Sequence, residues 1–257
     1  MTTELAARRA AFRALHDSGC FILPNPWNAG GARRLQKIGF EAIASTSSGA
    51  AWALGREDGE MSLEEVLDHL RTLCEATDLP VNADFEAGFA DEPRGVARNV
   101  ARAIDTGVAG LSIEDRTGKE LYDMSLSIER IHAAREAIDV SGQNVLLVGR
   151  SEGFLIGRTE LDPTIERLRA YSEAGADCLY APGIRDRTMI AEVVAAVAPK
   201  PVNVLLSTTD LTVPELAALG VRRVSVGGAL AKAVWQRFDE VAKTLLEKGT
   251  LPPRPAA

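Results

Sequence analysis

Short apolar runs recur along the chain, separated by longer stretches whose apolar positions fall at helical spacing. The runs are Cys20–Leu23, Ala42–Ser45, Val81–Asp84, Gly110–Glu114, Asn144–Arg150, Cys178–Ala181, Val202–Leu205 and Arg223–Val226. Apolar residues on both faces predict buried parallel strands rather than half-exposed ones. Between them, Ala29–Ile38, Leu63–Thr77, Gly95–Thr106, Leu126–Ile138, Leu161–Ala174, Arg187–Ala196 and Val213–Leu219 predict amphipathic helices. Gly39, Gly107, Gly175 and Gly220 stand just after these helices, where a left-handed cap is wanted. About eight such units in 257 residues predict a (β/α)8 TIM barrel, with a doubly wound open sheet as the alternative. Two helices fall outside the repeat, Thr3–His16 before the first strand and Ala229–Lys248 after the eighth. The second is long enough to extend from the barrel and pack on a partner subunit. Leu251-Pro252-Pro253-Arg254-Pro255 cannot continue a helix, so one domain spanning 1–257 is expected to end in a flexible tail, 249–257.

Two consecutive strands stop abruptly in acids: Val81-Asn82-Ala83-Asp84-Phe85-Glu86 and Gly110-Leu111-Ser112-Ile113-Glu114-Asp115. In a repeat of this kind, functional groups collect at the C-terminal ends of strands. Carboxylates converging there repel one another unless a cation or protons neutralise them. A metal-centred active site follows as the expectation.

Composition narrows the class. An apolar content of 46% supports a large single core, and a net charge of −7 argues against a nucleic-acid footprint. No apolar stretch approaches the roughly 18 residues of a membrane span, and Met1–His16 lacks an apolar signal core. A cytoplasmic location is the default expectation. Cys20, Cys74 and Cys178 are too few and too scattered for a disulfide framework or a zinc pattern. His16, His69 and His132 fall in helices away from strand ends, which leaves a Ser-His-Asp or Cys-His mechanism without a base.

The other strand ends carry complementary chemistry. Trp27, in the loop Pro24-Asn25-Pro26-Trp27-Asn28, is either an apolar wall over a ligand or a packing residue at the rim. Thr46, Ser47 and Ser48 suit a carboxylate or phosphate, or else cap a helix. Asp58 lies in a glycine-flanked loop and by itself reads as turn chemistry. Asp84 ends a buried strand, where an unpaired carboxylate is costly, and Glu86 can reach the same side. Asp115 either caps or pairs with Arg116. Arg150 is a bidentate clamp for an anion, a structural partner of Glu114 or Glu152, or both. Asn203 offers a neutral donor, and Gly227-Gly228 opens the last helix as in barrel phosphate sites or through tight packing.

From about Phe21 to Lys243 the chain resembles the isocitrate lyase/phosphoenolpyruvate mutase superfamily. The resemblance rests on Asn82-Ala83-Asp84-x-Glu86-x-Gly88, Ser112-Ile113-Glu114-Asp115, Gly149-Arg150-x-Glu152 and Ala170-Tyr171-x-x-Ala174-Gly175-Ala176-Asp177, in that order. It implies a (β/α)8 barrel whose terminal helix exchanges between subunits of a dimer or tetramer. It implies Mg²⁺, with Mn²⁺ as substitute, held directly by Asp84 and largely through waters by Asp58, Glu86 and Glu114. It further implies that Thr46, Ser47 and Ser48 hold the substrate carboxylate, that Arg150 clamps it, and that Trp27 lines the pocket. The chain departs from the superfamily where isocitrate and methylisocitrate lyases carry Lys-Lys-Cys-Gly-His. Arg116-Thr117-Gly118-Lys119-Glu120-Leu121-Tyr122-Asp123-Met124-Ser125 stands there, without cysteine or histidine, which argues against isocitrate lyase activity. The mutase's Asp-Lys continuation is absent too, and Ala181-Pro182-Gly183 replaces a histidine segment.

The expected activity is a Mg²⁺-dependent lyase or hydrolase that cleaves a C–C bond in a small 2-oxo or 2-hydroxy dicarboxylate resembling oxaloacetate or malate. Arg150 and the metal would stabilise a developing enolate, and Tyr122 or Glu120 in the presumed lid would move a proton. The alternatives are a phosphonate enzyme acting on a P–C bond and a non-catalytic 2-oxo-acid-binding relative.

Overall fold

The computed structural model describes residues 3–208 and 210–253. Eight parallel strands run β1 (Phe21–Leu23), β2 (Ile43–Ala44), β3 (Val81–Asp84), β4 (Gly110–Glu114), β7 (Leu146–Arg150), β8 (Cys178–Tyr180), β9 (Val202–Leu205) and β10 (Arg223–Ser225). Between β4 and β7 lies a short antiparallel hairpin, β5 (Arg116–Thr117) and β6 (Glu120–Leu121). The eight pair in the order β1-β10-β9-β8-β7-β4-β3-β2. The seam between β1 and β2 is drawn together by Ala44 N, which donates to Pro24 O at 3.0 Å. Asn25 pins the same seam, donating to Ser45 O at 2.8 Å and accepting from Val226 N and Gly227 N. The result is the expected (β/α)8 TIM barrel, nearly closed.

The helices are α1 (Thr3–Ala14), α2 (Ala29–Ile38), α3 (Ser47–Ala53), α4 (Leu63–Ala76), α5 (Pro93–Asp105), α6 (Met124–Ser141), α7 (Leu161–Glu173), α8 (Arg187–Val197), α9 (Val213–Ala218) and α10 (Ala229–Lys248). Their ends have local causes. Asn28 caps α2 by accepting from Gly31 N, and Ser62 with Glu65 forms a capping box on α4. Gly39 closes α2 at φ 107, and its N–H donates back to Leu35 O and Gln36 O, the left-handed stop expected there. Thr46–Ser48 suggested a helix cap, and the helix that follows, α3, is only seven residues long, too few to show a period in the sequence.

The helix α1 closes the end of the barrel opposite the site. The Arg9 guanidinium is fully buried there and donates to Val108 O and Ile104 O at 2.9 Å. His16 stands edge-on to Phe12 and Phe21, each at 4.9 Å between ring centroids, with Nδ1 2.8 Å from Phe12 O. Burial, with Arg223 adding to it, pushes His16 down to about 3. A folded value below the ordinary 6.5 means that the unfolded chain takes up the proton first as pH falls. The contribution of His16 is therefore intact above about 6.5 and drains away toward 3, at up to about 1.4 kcal/mol per pH unit. His16→Phe is expected to flatten the acid limb of a stability–pH curve measured by urea denaturation, relative to the parent protein.

Of the twenty residues in α10 only Ala231 is buried. Val234, Trp235, Phe238, Leu245 and Leu246 are exposed, and Trp235 meets Phe238 edge to face at 5.8 Å. Of the expected tail, Gly249 ends α10 at φ 63 and the exposed Leu251 follows, while 254–257 lies outside the described residues. No helix among the described residues is long and apolar enough to cross a membrane.

Candidate active site

The C-terminal ends of the strands surround a cavity of about 300 Å³. Asp84 lies at its wall, where Oδ2 accepts from Ser47 N at 3.0 Å and Oδ1 from Arg150 Nη1 at 3.0 Å. Its own N–H donates to Ser45 Oγ at 2.8 Å, so the end of β2 fixes the end of β3. The register of β4 on β7 sets Glu114 beside Arg150, and Arg150 Nη1 reaches Glu114 Oε2 at 3.2 Å. Arg150 Nε donates to Glu152 Oε1 at 2.5 Å. One guanidinium thus holds three carboxylates.

Two more acids lean on the same centre. Asp58 hangs from the exposed loop after α3, where partial desolvation on the side facing the cavity and the charge of Asp84 raise its carboxyl, opposed by a hydrogen bond from Ser47. Glu86 is pushed up to about 8 by burial and by the charges of Asp84 and Asp58. Its Oε1 is buried without a partner, and its backbone holds φ 46, a strained value outside glycine. Burial likewise raises Glu114, against the pull of Arg150. Asp84, Glu114 and Glu152 therefore meet Arg150, with Asp58 and Glu86 within electrostatic reach and Arg116 4.0 Å from Glu152 Oε2.

Such a set fits a divalent cation. All of its donors are carboxylate oxygens, the ligands that Mg²⁺ and Mn²⁺ prefer. The orphaned Oε1 of Glu86 and the raised carboxyls mark negative charge that the protein alone leaves uncompensated. No three acid, histidine or cysteine side chains among the described residues close into a direct cage. That suits an ion that keeps much of its water and takes few carboxylates directly. Asp84 and Asp58 line the cavity, while Glu114 lies behind Arg150 and the Glu86 carboxylate approaches under Gly59.

The remaining predicted residues divide. Thr46, Ser47, Ser48 and Asn203 line the cavity. Thr46 also caps α3 by accepting from Gly49 N at 3.3 Å, so the helix-cap reading holds while the run still faces the cavity. Asn203 is engaged with Ser225 Oγ at 3.0 Å and with Arg223. Trp27 is not among the lining residues and packs instead against Gly49, while Trp52, on α3, takes the wall position. Tyr122 is also kept from the cavity: its hydroxyl donates to Asp91 Oδ1 at 2.5 Å and its ring lies under Arg130 at 4.1 Å. Glu120 pairs with Arg158, tying the hairpin to the segment after β7.

Asp115 does not pair with Arg116. It is buried and accepts from Tyr171 OH at 2.6 Å, Glu152 N at 2.8 Å, Ser151 Oγ at 3.0 Å and Arg167 Nη1 at 3.2 Å, which positions Glu152 for Arg150. Other cavity residues escaped the sequence reading. Tyr180 ends β8 with its ring 5.4 Å from the Arg150 guanidinium, and Lys232 lies 5.4 Å from the Trp52 ring. Tyr180 had a readable signal, a polar tip closing an apolar run, and Lys232 lies in the first turn of the helix that Gly227-Gly228 opens at the end of β10.

A class of protein is now defined: a TIM barrel whose mouth gathers acids around one arginine. The phosphoenolpyruvate phosphomutase family model matches residues 12–246, and the chain belongs to that family. The 2-methylisocitrate lyase of Escherichia coli K12 is 30% identical over 240 residues, covering 87% of this chain and 79% of that protein. An oxaloacetate decarboxylase of Rhodopseudomonas palustris BisA53 is 30% identical over 257 residues, covering 91% and 84%. A solved Burkholderia cenocepacia J2315 structure, described as a candidate lyase/mutase, superposes with a TM-score of 0.94 at 48% identity, covering 96% and 91%.

Proposed function

We propose that the protein is a Mg²⁺-dependent lyase or hydrolase, with Mn²⁺ as substitute, that cleaves a C–C bond in a small 2-oxo or 2-hydroxy dicarboxylate of the oxaloacetate or malate kind. The observation that carries this reading is the uncompensated carboxylate cluster beside Arg150, with the Glu86 Oε1 buried and unpartnered. The similarity to an oxaloacetate decarboxylase supports the substrate class. Asp84 would hold the metal directly, with Asp58, Glu86 and Glu114 acting largely through waters. When bound, the metal supplies Lewis-acid polarisation of the 2-oxo group. Arg150 donates to the oxygen on which enolate charge develops, a preorganised donor that needs no reorganisation during the step. Ser47 and Ser48 orient the substrate carboxylate. The phenol of Tyr180, pushed up to about 12 by burial against the pull of Arg150 and a hydrogen bond with Ser225, lines the cavity in its protonated form at neutral pH.

A P–C bond reaction is the second reading, favoured by the family whose model the chain matches. Oxaloacetate, substituted malates, other 2-oxo acids and phosphonopyruvate, each assayed with and without Mg²⁺, separate the two. Metal-dependent turnover of a dicarboxylate is the expected result. Turnover of phosphonopyruvate alone would replace the proposal with its rival.

The assembly belongs to the same reading. The apolar side of α10 is left uncovered by its own barrel, as a helix exchanged with a second copy would be. A dimer or tetramer is expected by light scattering, and Phe238→Glu combined with Leu246→Glu is expected to shift it to monomer. A parent protein that is monomeric at high concentration would contradict the exchange.

A further inference from the structure

Arg223 opens β10 inside the barrel, is 2% exposed, and lines the cavity. Its Nε donates to Asn203 Oδ1 at 2.9 Å and its Nη1 to Asn82 Oδ1 at 3.4 Å. Both acceptors are neutral amides. No carboxylate pairs with Arg223 among the described residues, and its other amino group meets no acceptor there. Arg150, in the same cavity, is held by Asp84, Glu114 and Glu152. One guanidinium faces three carboxylates through Nε and Nη1, and the other, among the described residues, faces none.

A buried cation without a counter-charge is costly to keep away from water. The surrounding groups do not offset it. Asn203 Nδ2 donates to Ser225 Oγ at 3.0 Å, and Asn82 Nδ2 donates to Ala83 O at 3.1 Å. With the amide oxygens on the guanidinium and the amide nitrogens already donating elsewhere, the remaining N–H groups of Arg223 are the donors that the floor offers a ligand. Depth separates the two cations. Arg150 ends β7 at the mouth, whereas Arg223 begins β10, in register with Asn203 and below Ser225. The cavity between them has room for about ten waters at the liquid share of volume.

We propose that Arg223 is a second anion-binding pole, which receives the substrate carboxylate remote from the metal and makes the cavity prefer dicarboxylates over monocarboxylates. This assignment rests on the proposed reading of the acids as a metal centre, and its test keeps the two apart. Inorganic phosphate is titrated calorimetrically in EDTA into the parent protein, Arg223→Met and Asn203→Asp. The second variant places a counter-charge beside Arg223 with little change of shape, so it preserves the fold if Arg223→Met does not. Phosphate is expected to bind the parent and to weaken about 10- to 100-fold in each variant, the scale of a lost charge-assisted hydrogen bond. With Mg²⁺, KM for oxaloacetate is expected to rise by a similar factor, while inhibition by pyruvate stays within about threefold. Unchanged phosphate affinity in folded variants, or equal weakening of oxaloacetate and pyruvate, would overturn the pole. Phosphate binding that depends on Arg223, in a protein inert toward oxaloacetate, would uphold the pole and remove the proposed reaction instead.

Discussion

Asp84→Ala is expected to lower turnover by about 10³-fold or more while the protein stays folded. A metal that contributes several kcal/mol to charge stabilisation takes that much with it when its direct ligand is lost, and about 4 kcal/mol is a factor of about 10³. The fold survives because Arg150 keeps Glu114 at 3.2 Å and Glu152 at 2.5 Å after its 3.0 Å contact to Asp84 is gone. Steady-state rates, circular dichroism and Mn²⁺ binding by electron paramagnetic resonance separate the two effects. Full activity in a folded Asp84→Ala protein would remove the metal assignment.

Arg150→Met is expected to damage both activity and stability. Loss of a donor aimed at developing charge costs about 10²- to 10³-fold in kcat. The variant also strands Glu152, whose side chain is 1% exposed, and the part-buried Glu114 beside it. Breaking a buried pair from one side costs about 3 to 5 kcal/mol, which in a protein of this size lowers Tm by on the order of 10 °C. Adding Glu152→Gln to Arg150→Met is expected to recover part of the lost Tm and none of the lost rate. A double variant that regains activity would make Arg150 a structural counter-ion and nothing more.

The barrel was legible because its strands are buried on both faces and leave unbroken apolar runs such as Leu146–Gly149. Their acidic ends were legible for the same reason: Asp84 and Glu114 interrupt runs that have no local use for a charge. What escaped depends on contacts remote in sequence. Asp115 looks like a partner for its neighbour Arg116, yet its acceptors are filled by Arg167 and Tyr171, from a helix that starts more than forty residues later. Trp27 and Trp52 are alike as residues, and only the formation of α3 decides which one faces the cavity. Arg223 reads as a charged residue at the edge of a strand, because chain order does not reveal that the barrel wraps Asn82 and Asn203 around it. The lid was anticipated as a source of protons, but Tyr122 and Glu120 are spent on Asp91 and Arg158.

The most direct measurement is the rate of oxaloacetate consumption by protein stripped with chelator, then titrated with Mg²⁺. Activity absent in the stripped protein, restored by Mg²⁺ and by Mn²⁺, and not restored in Asp84→Ala is the predicted result. Undiminished turnover in excess chelator would contradict the account.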